Sequence, residues 1–198
     1  MKLIPTIICL FTVLLSGCAV SEQTIGTEIS DVEGFNHRLF GEALAEIDSK
    51  GLKGLERLAL VDFGSPSEEE RLKVIDLRTN RVLASSLVAH AKESGFRVPY
   101  NFSNAKGSHM SSLGLYLTNE TYIGKNGYSL RISGISEGRN TNARGRFIVV
   151  HGSKYASYQH IVEHGMLGRS EGCFALPYDK YVQIIDLIKG NSAIYAGK

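Results

Sequence analysis

The stretch Arg146-Phe147-Ile148-Val149-Val150-His151-Gly152-Ser153 opens as an apolar, β-branched run and breaks at a histidine followed by two small residues. Residues 146–150 therefore read as a strand with His151 at its end. The loop Gly168-Arg169-Ser170-Glu171-Gly172-Cys173 places a cysteine 22 residues after that histidine, just ahead of the last expected helix.

Upstream of this pair, short β-rich runs alternate with turn residues. Residues 58–63 form an apolar run closed by Gly64-Ser65-Pro66. Runs 72–77 and 82–89 flank Arg78-Thr79-Asn80-Arg81, a hairpin in which Asn80 suits a positive φ. Further strands are expected at 114–118 and 129–133. Residues 101–112 show no regular pattern, and long loops of that kind often carry function. Helical spacing recurs at 35–47, through Phe35, Leu39, Phe40, Ala43, Leu44 and Ile47, with Gly51 as the stop. It recurs at 158–164 and at 178–189, where Tyr181, Ile184, Ile185 and Ile188 share a face. The pattern predicts a mainly β domain with a few decorating helices.

Residues 1–18 combine a single charge, Lys2, with an apolar run from Leu3 to Leu15 and the ending Leu15-Ser16-Gly17-Cys18. This is the pattern of a bacterial lipoprotein signal peptide. The run falls short of the roughly 20 apolar residues a membrane-spanning helix needs. Cys18 is then expected to become a lipidated N-terminus that holds the protein to a membrane without a spanning segment. In a Gram-negative host, Ala19 after that cysteine favours the periplasmic side of the outer membrane. Residues 19–34 read as a flexible tether, 35–56 as an N-terminal helical segment and 57–198 as the folded domain. About 160 residues suffice for one domain with a real core. The formal charge of +2, with no basic stripe, argues against nucleic acid as a partner.

Of three cysteines, Cys9 falls in the removed peptide and Cys18 is lipidated, which leaves Cys173 as the sole thiol of the mature chain. An unpaired thiol in an exported protein is either buried and inert or kept for its reactivity. A thiolate attacks carbonyls well, and a nearby histidine can serve as its base. Gly172 lets the backbone approach a substrate, so the amides of Gly172 and Cys173 could face the oxyanion of a tetrahedral intermediate. Ser153 or Ser170 could orient the imidazole or bind substrate. Taken singly, Cys173 could be a small buried hydrophobe and His151 a satisfied core histidine. Together, in an exported chain and among glycines and serines, they point to Cys-His catalysis. His160 and His164, four apart on one helical face, could with His151 or Cys173 bind zinc, but Glu163 directly precedes the second histidine, unlike the metalloprotease arrangement.

These segments resemble the L,D-transpeptidase catalytic domain, a family of cysteine enzymes that remodel bacterial peptidoglycan. The resemblance rests on His151-Gly152-Ser153, on Ser170-Glu171-Gly172-Cys173, on the hairpin from Val74 to Leu83, and on Ser111-Ser112-Leu113-Gly114-Leu115-Tyr116. With Gly107-Ser108-His109, it lies closest to the murein L,D-transpeptidase catalytic domain subgroup. It implies an L,D-transpeptidase-like β-sandwich over 57–198, with Cys173 as nucleophile, His151 as base and Gly172 beside them. It also implies substrate contacts at Ser170, Arg169, Ser153, Gly152, Ser112 and Gly114, peptidoglycan stem peptides as partners, and no metal or organic cofactor. The reaction so implied is cross-linking or remodelling of stem peptides through an acyl-enzyme. Trimming as an L,D-carboxypeptidase and non-catalytic peptidoglycan binding are the alternatives. Two positions depart from the family pattern. Ala175 stands where many members have an arginine for a substrate carboxylate, which shifts that task to Arg169, Arg144 or Arg146. The His151–Cys173 spacing is long, and the insertion carries the helix with His160 and His164.

Changing Cys18 to Ala is expected to abolish both lipidation and lipoprotein-specific processing. Labelled fatty acid incorporated at the unmodified level would remove the anchor assignment.

Overall fold

The computed structural model describes residues 35–198. The expected signal peptide at 1–18, with Cys18, and the tether at 19–34 lie outside the described residues. Helix α1 (His37–Ser49) precedes strands β1 (Arg57–Asp62), β2 (Leu72–Asp76), β3 (Arg81–Ser86), β4 (Gly114–Gly124), β5 (Gly127–Gly134) and β6 (Val149–Gly152). Helix α2 (Tyr158–His164), strand β7 (Phe174–Leu176), helix α3 (Tyr181–Ile188) and strand β8 (Ser192–Gly197) follow. The strands form one sheet in the order β3-β2-β1-β8-β4-β5-β6-β7, which curls on itself. Two neighbouring pairs, β1 with β8 and β6 with β7, run parallel.

Successive side chains on a strand point to opposite faces, and here both faces are covered. Leu58, Leu60, Ile75, Leu115, Ala193 and Tyr195 pack against α1 through Leu39, Phe40, Ala43 and Ile47. Their alternates, Ala59, Val61, Val74, Tyr116, Ile194 and Ala196, meet Phe174, Val150 and the α3 residues Ile184, Ile185 and Ile188. Central strands β1 and β8 are therefore apolar on both sides. Asn36 caps α1 by accepting the Leu39 amide at 3.1 Å.

The expected mainly β domain with decorating helices is what forms. The hairpin turn appears with Asn80 at φ 55°, and α2 spans the expected 158–164. Three local expectations change. Residues 146–148 are not strand. The Ile148 amide bonds back to the Ala143 carbonyl at 3.0 Å and Phe147 turns through φ 58°, so pairing begins only at Val149. Helix α3 starts at Tyr181 because the Pro177 carbonyl gathers the Lys180 and Tyr181 amides into a preceding turn. Strands β7 and β8 went unforeseen: β7 is only three residues long, and the Ser, Ala and Gly of β8 give little amphipathic signal.

A buried polar network fixes residues 87–95 against the sheet. Arg71, 3% exposed, donates to the Val88 carbonyl through Nε and Nη2, to the Ser65 carbonyl, and to Nδ1 of His90 at 2.8 Å. Nδ1 accepts, so His90, 1% exposed, carries its proton on Nε2 and donates it to the Gly95 carbonyl at 3.2 Å. Burial, with the Arg71 charge beside it, lowers the His90 pKa to about 4.

Because that value lies below the ordinary 6.5, the unfolded chain takes up the proton first as pH falls. Stability is expected to be full above pH 6.5 and to drop toward pH 4, with His90 accounting for on the order of 3 kcal/mol. Urea unfolding of the full chain against its H90Q variant at pH 7 and 4.5 checks this. Equal pH slopes for the two would refute it.

Candidate active site

Parallel pairing of β6 with β7 sets Val150 opposite Phe174 and His151 opposite Ala175. Val150 and Phe174 enter the main core, so His151 and Ala175 project from the other face. Cys173 immediately precedes β7, two residues before the partner of His151. The two segments singled out in the sequence thus converge at one end of the sheet.

His151 is 5% exposed. Its Nδ1 lies 2.9 Å from the Gly152 carbonyl, which can only accept, so Nδ1 holds the proton and Nε2 keeps the lone pair of a base. Burial pushes the His151 pKa below its ordinary value, against the raising effect of the Gly152 bond. The imidazole is neutral at pH 7. Burial also pushes the Cys173 thiol up, opposed by a hydrogen bond from the Val149 backbone and by the charge of Arg146, while Glu171 adds to the rise. Sγ contacts the Phe147 carbonyl at 3.6 Å. Among the described residues no hydrogen bond links Cys173 to His151. Both groups therefore rest uncharged, unlike a preformed thiolate–imidazolium pair.

The cysteine loop is shaped from within. Ser170, 4% exposed, donates from Oγ to the Cys173 carbonyl at 2.7 Å and accepts the Gly172 amide at 3.1 Å. The expected oxyanion pair is thus reduced to the Cys173 amide, since Gly172 spends its own N–H on Ser170. Ser170 itself braces the loop from within. Gly172 sits at φ 129°, and a Cβ there would lie 2.5 Å from Ile148 Cδ1.

The remaining expected contacts separate. Ser112 is buried, with its hydroxyl 2.8 Å from that of Tyr116, and Gly114 at φ 105° faces Ser136. Ser112 Oγ lies 3.5 Å from Arg146 Nη1. Gly152 and Ser153 follow His151 directly, with Tyr178 and Tyr181 against Gly152. Arg169 lies 4.6 Å over the Phe96 ring. Arg144 pairs with Glu120 at 3.0 Å, and Glu120 also binds Arg131. Arg146 is the one of the three whose charge couples to Cys173. It also clamps the irregular loop by donating to the Ser103 carbonyl at 2.7 Å, the Met110 carbonyl at 2.5 Å and Ser108 Oγ at 3.2 Å. Ala175 is fully buried against Ala89, and its carbonyl accepts the Ala89 amide at 2.9 Å. A long cation does not fit that position.

Several residues near the site carried no role in the sequence reading. Glu171 forms ion pairs with Lys92 Nζ at 2.8 Å and with His109 Nδ1, which ties the cysteine loop to residues 92–109. Lys106, His109, Arg146, Phe147 and Glu171 line a cleft of about 260 Å³ beside Cys173. The Gly107-Ser108-His109 segment was the only signal for this side. His160 and His164 stack at 4.1 Å, and among the described residues no group of three or more His, Cys, Asp or Glu is placed to hold a metal.

A family model described as the L,D-transpeptidase catalytic domain matches residues 31–196. The chain belongs to that family. Comparison with curated proteins gives no match. Among solved structures, an L,D-transpeptidase from Mycobacterium smegmatis is similar at 13% identity, covering 72% of this chain and 59% of that one, with a TM-score of 0.44. L,D-transpeptidase 1 of Mycobacterium tuberculosis is similar at 12% identity, with 71% and 60% covered and a TM-score of 0.39. An L,D-transpeptidase fragment from Xylanimonas cellulosilytica is similar at 12% identity, with 79% and 69% covered and a TM-score of 0.40. The chain spans about three-fifths of the length of the first of these structures.

Gly172→Ala is expected to destabilise this L,D-transpeptidase domain by about 1–3 kcal/mol, through strained φ and the Ile148 contact. Thermal unfolding of both chains measures it. An unchanged midpoint would mean the loop has no need of glycine.

Proposed function

We propose that this protein is a peptidoglycan L,D-transpeptidase in which Cys173 is the nucleophile and His151 the base. One observation carries the reading. The β6–β7 register brings the segment that carries the domain's one thiol beside a histidine whose Gly152 bond leaves Nε2 basic. Membership of the L,D-transpeptidase catalytic domain family supports the substrate class.

The step follows from the resting charges. As the thiol sulfur attacks the amide carbonyl after the third residue of a stem peptide, its proton passes to His151, since neither group is charged beforehand. The Cys173 amide is the loop's donor to the developing oxyanion. Collapse breaks the C–N bond, the imidazolium returns its proton to the leaving amine of D-alanine, and a thioester remains on Cys173. An amine of a neighbouring stem then displaces sulfur to give a cross-link; water in its place gives trimming. Arg146, whose charge couples to Cys173, is the cation nearest to the role of the missing arginine at Ala175. The signal at 1–18 supports a lipid-anchored protein on the periplasmic side of the envelope, attached through Cys18.

Cys173→Ser and His151→Ala are each expected to lower turnover of tetrapeptide muropeptides by about a thousandfold or more, and the double change to cost little beyond either one. With the His151 pKa lowered, the acid limb of the acylation rate should fall below pH 6.5. Mass spectrometry of muropeptide products and of the Cys173 adduct with a carbapenem reads both. A folded C173S chain with undiminished turnover would overturn the nucleophile. Tripeptides without cross-linked dimers would make the enzyme a carboxypeptidase.

A further inference from the structure

The insertion between β6 and β7, with residues just after β7, builds a second groove beyond the end of β6, whereas Arg146 precedes that strand. It is lined by Ser153, two residues after His151, by the single turn Lys154–Ala156, by helix α2 and by the segment Tyr178–Asp179. The groove encloses about 750 Å³, against about 260 Å³ for the cleft of Arg146, Phe147 and Glu171. Helix α2 has no fully buried residue and leaves Val162 86% exposed; through Ile161 alone, partly buried, it packs on the small cluster of Leu87, Ala89, Ala156, Leu167 and Ala175. Its ends are fixed by Ser157, which accepts the His160 amide, and by Gly165, which closes it in the left-handed conformation. Gln159, His160 and Glu163 are the helix residues that border the groove.

Tyr155 joins the groove to the site. It lines the groove, and its hydroxyl bonds with Ser153 and lies close enough to Cys173, Glu171 and Tyr178 for their charges to act on it. Tyr178, half exposed, presents a second aromatic ring, packed so closely on Gly152 that a Cβ there would lie 2.8 Å away. The charges differ between the two hollows. Lys106 and Arg146 face the smaller cleft against Glu171 alone, whereas Glu163 and Asp179 face this groove against Lys154 alone. A carboxylate-bearing peptide fits the first. A primary ammonium fits the second, with a neighbouring carboxylate for Lys154 and aromatic faces for the apolar parts of a peptide or sugar.

We propose that this groove is the acceptor subsite, which docks the amine-bearing stem peptide through Glu163, Asp179 and Lys154 and leads its amine past Tyr155 to the thioester on Cys173. The inference rests on the transpeptidase reading. It assigns donor and acceptor to separate hollows and gives the insertion a purpose: to let a second substrate outcompete water. In the step itself the amine nitrogen forms the new C–N bond as the C–S bond breaks, and the amine proton returns through His151 to the sulfur.

The probe is a tripeptide muropeptide with a free side-chain amine, titrated into the full chain carrying Cys173→Ser, alongside the same probe N-acetylated on that amine. The acetylated probe, and the doubly changed E163Q/D179N chain with the free probe, are expected to bind at least about tenfold more weakly. In the chain with Cys173 intact, the same double change should lower cross-linked product relative to hydrolysed product about tenfold, counted per acyl-enzyme formed. Circular dichroism checks that the variants fold, and Y178A serves as an independent groove change with the same expected direction. Equal affinities and an unchanged product ratio, with acylation intact, overturn the groove alone. Failure of Cys173 to acylate in the unmodified chain overturns the nucleophile, and the acceptor role with it.

Discussion

Everything at the site depends on the parallel pairing of β6 with β7. Parallel strands cannot be joined by a tight turn, so the chain must travel out and return before Phe174 can lie beside Val150. That excursion carries α2, the groove residues from Ser153 to Glu163 and the cysteine loop. The register fixes more than proximity. Shifting it by one residue would change the β6 neighbour of the cysteine loop and bring Phe174 out of the core. The aromatic cluster of Phe174 with Phe63 and Tyr116 therefore guards the alignment of a thiol it does not touch.

Around that pairing, irregular backbone is held by side chains that spend their polarity internally. Arg146 gathers three carbonyl and hydroxyl groups of residues 103–110, Glu171 binds Lys92 and His109, and Ser170 stitches its own loop. Such bonds offset the missing ladder bonds of the loop that carries Cys173. The Arg71–His90 network supports the next layer, since the segment it fixes pairs through Ala89 with Ala175 and through Ala91 with Ser170. A buried neutral histidine thus supports the cysteine loop, its own carbonyl accepting the Ser170 amide at 2.8 Å.

The electrostatics favour a particular style of catalysis. Burial raises the thiol and lowers the imidazole, so both rest uncharged. In the proposed reaction, proton transfer and attack would then be coupled, and a neutral thiol would resist oxidation between turnovers. The basic cleft and the acidic groove would divide the two proposed peptides by charge.

The local pattern of residues was enough to establish the β-rich class, the Asn80 turn and helix α2, and to single out a lone cysteine and a strand-end histidine as a candidate pair. Those features depend on side-chain period, backbone tolerance and residue chemistry, which are written in short windows. Strand β8 was not legible, because its small side chains become a central strand only when β1 and β4 flank them. Nor was the fate of the Gly172 amide, which depends on where the Ser170 hydroxyl turns. The sequence offered Arg144, Arg146 and Arg169 as equals, and only the fold separated them, by giving Arg144 to Glu120 and Arg169 to Phe96 and bringing Arg146 to the thiol. Distance through space decides which charge acts on which atom, and residues far apart in the chain reveal it only after the sheet has closed.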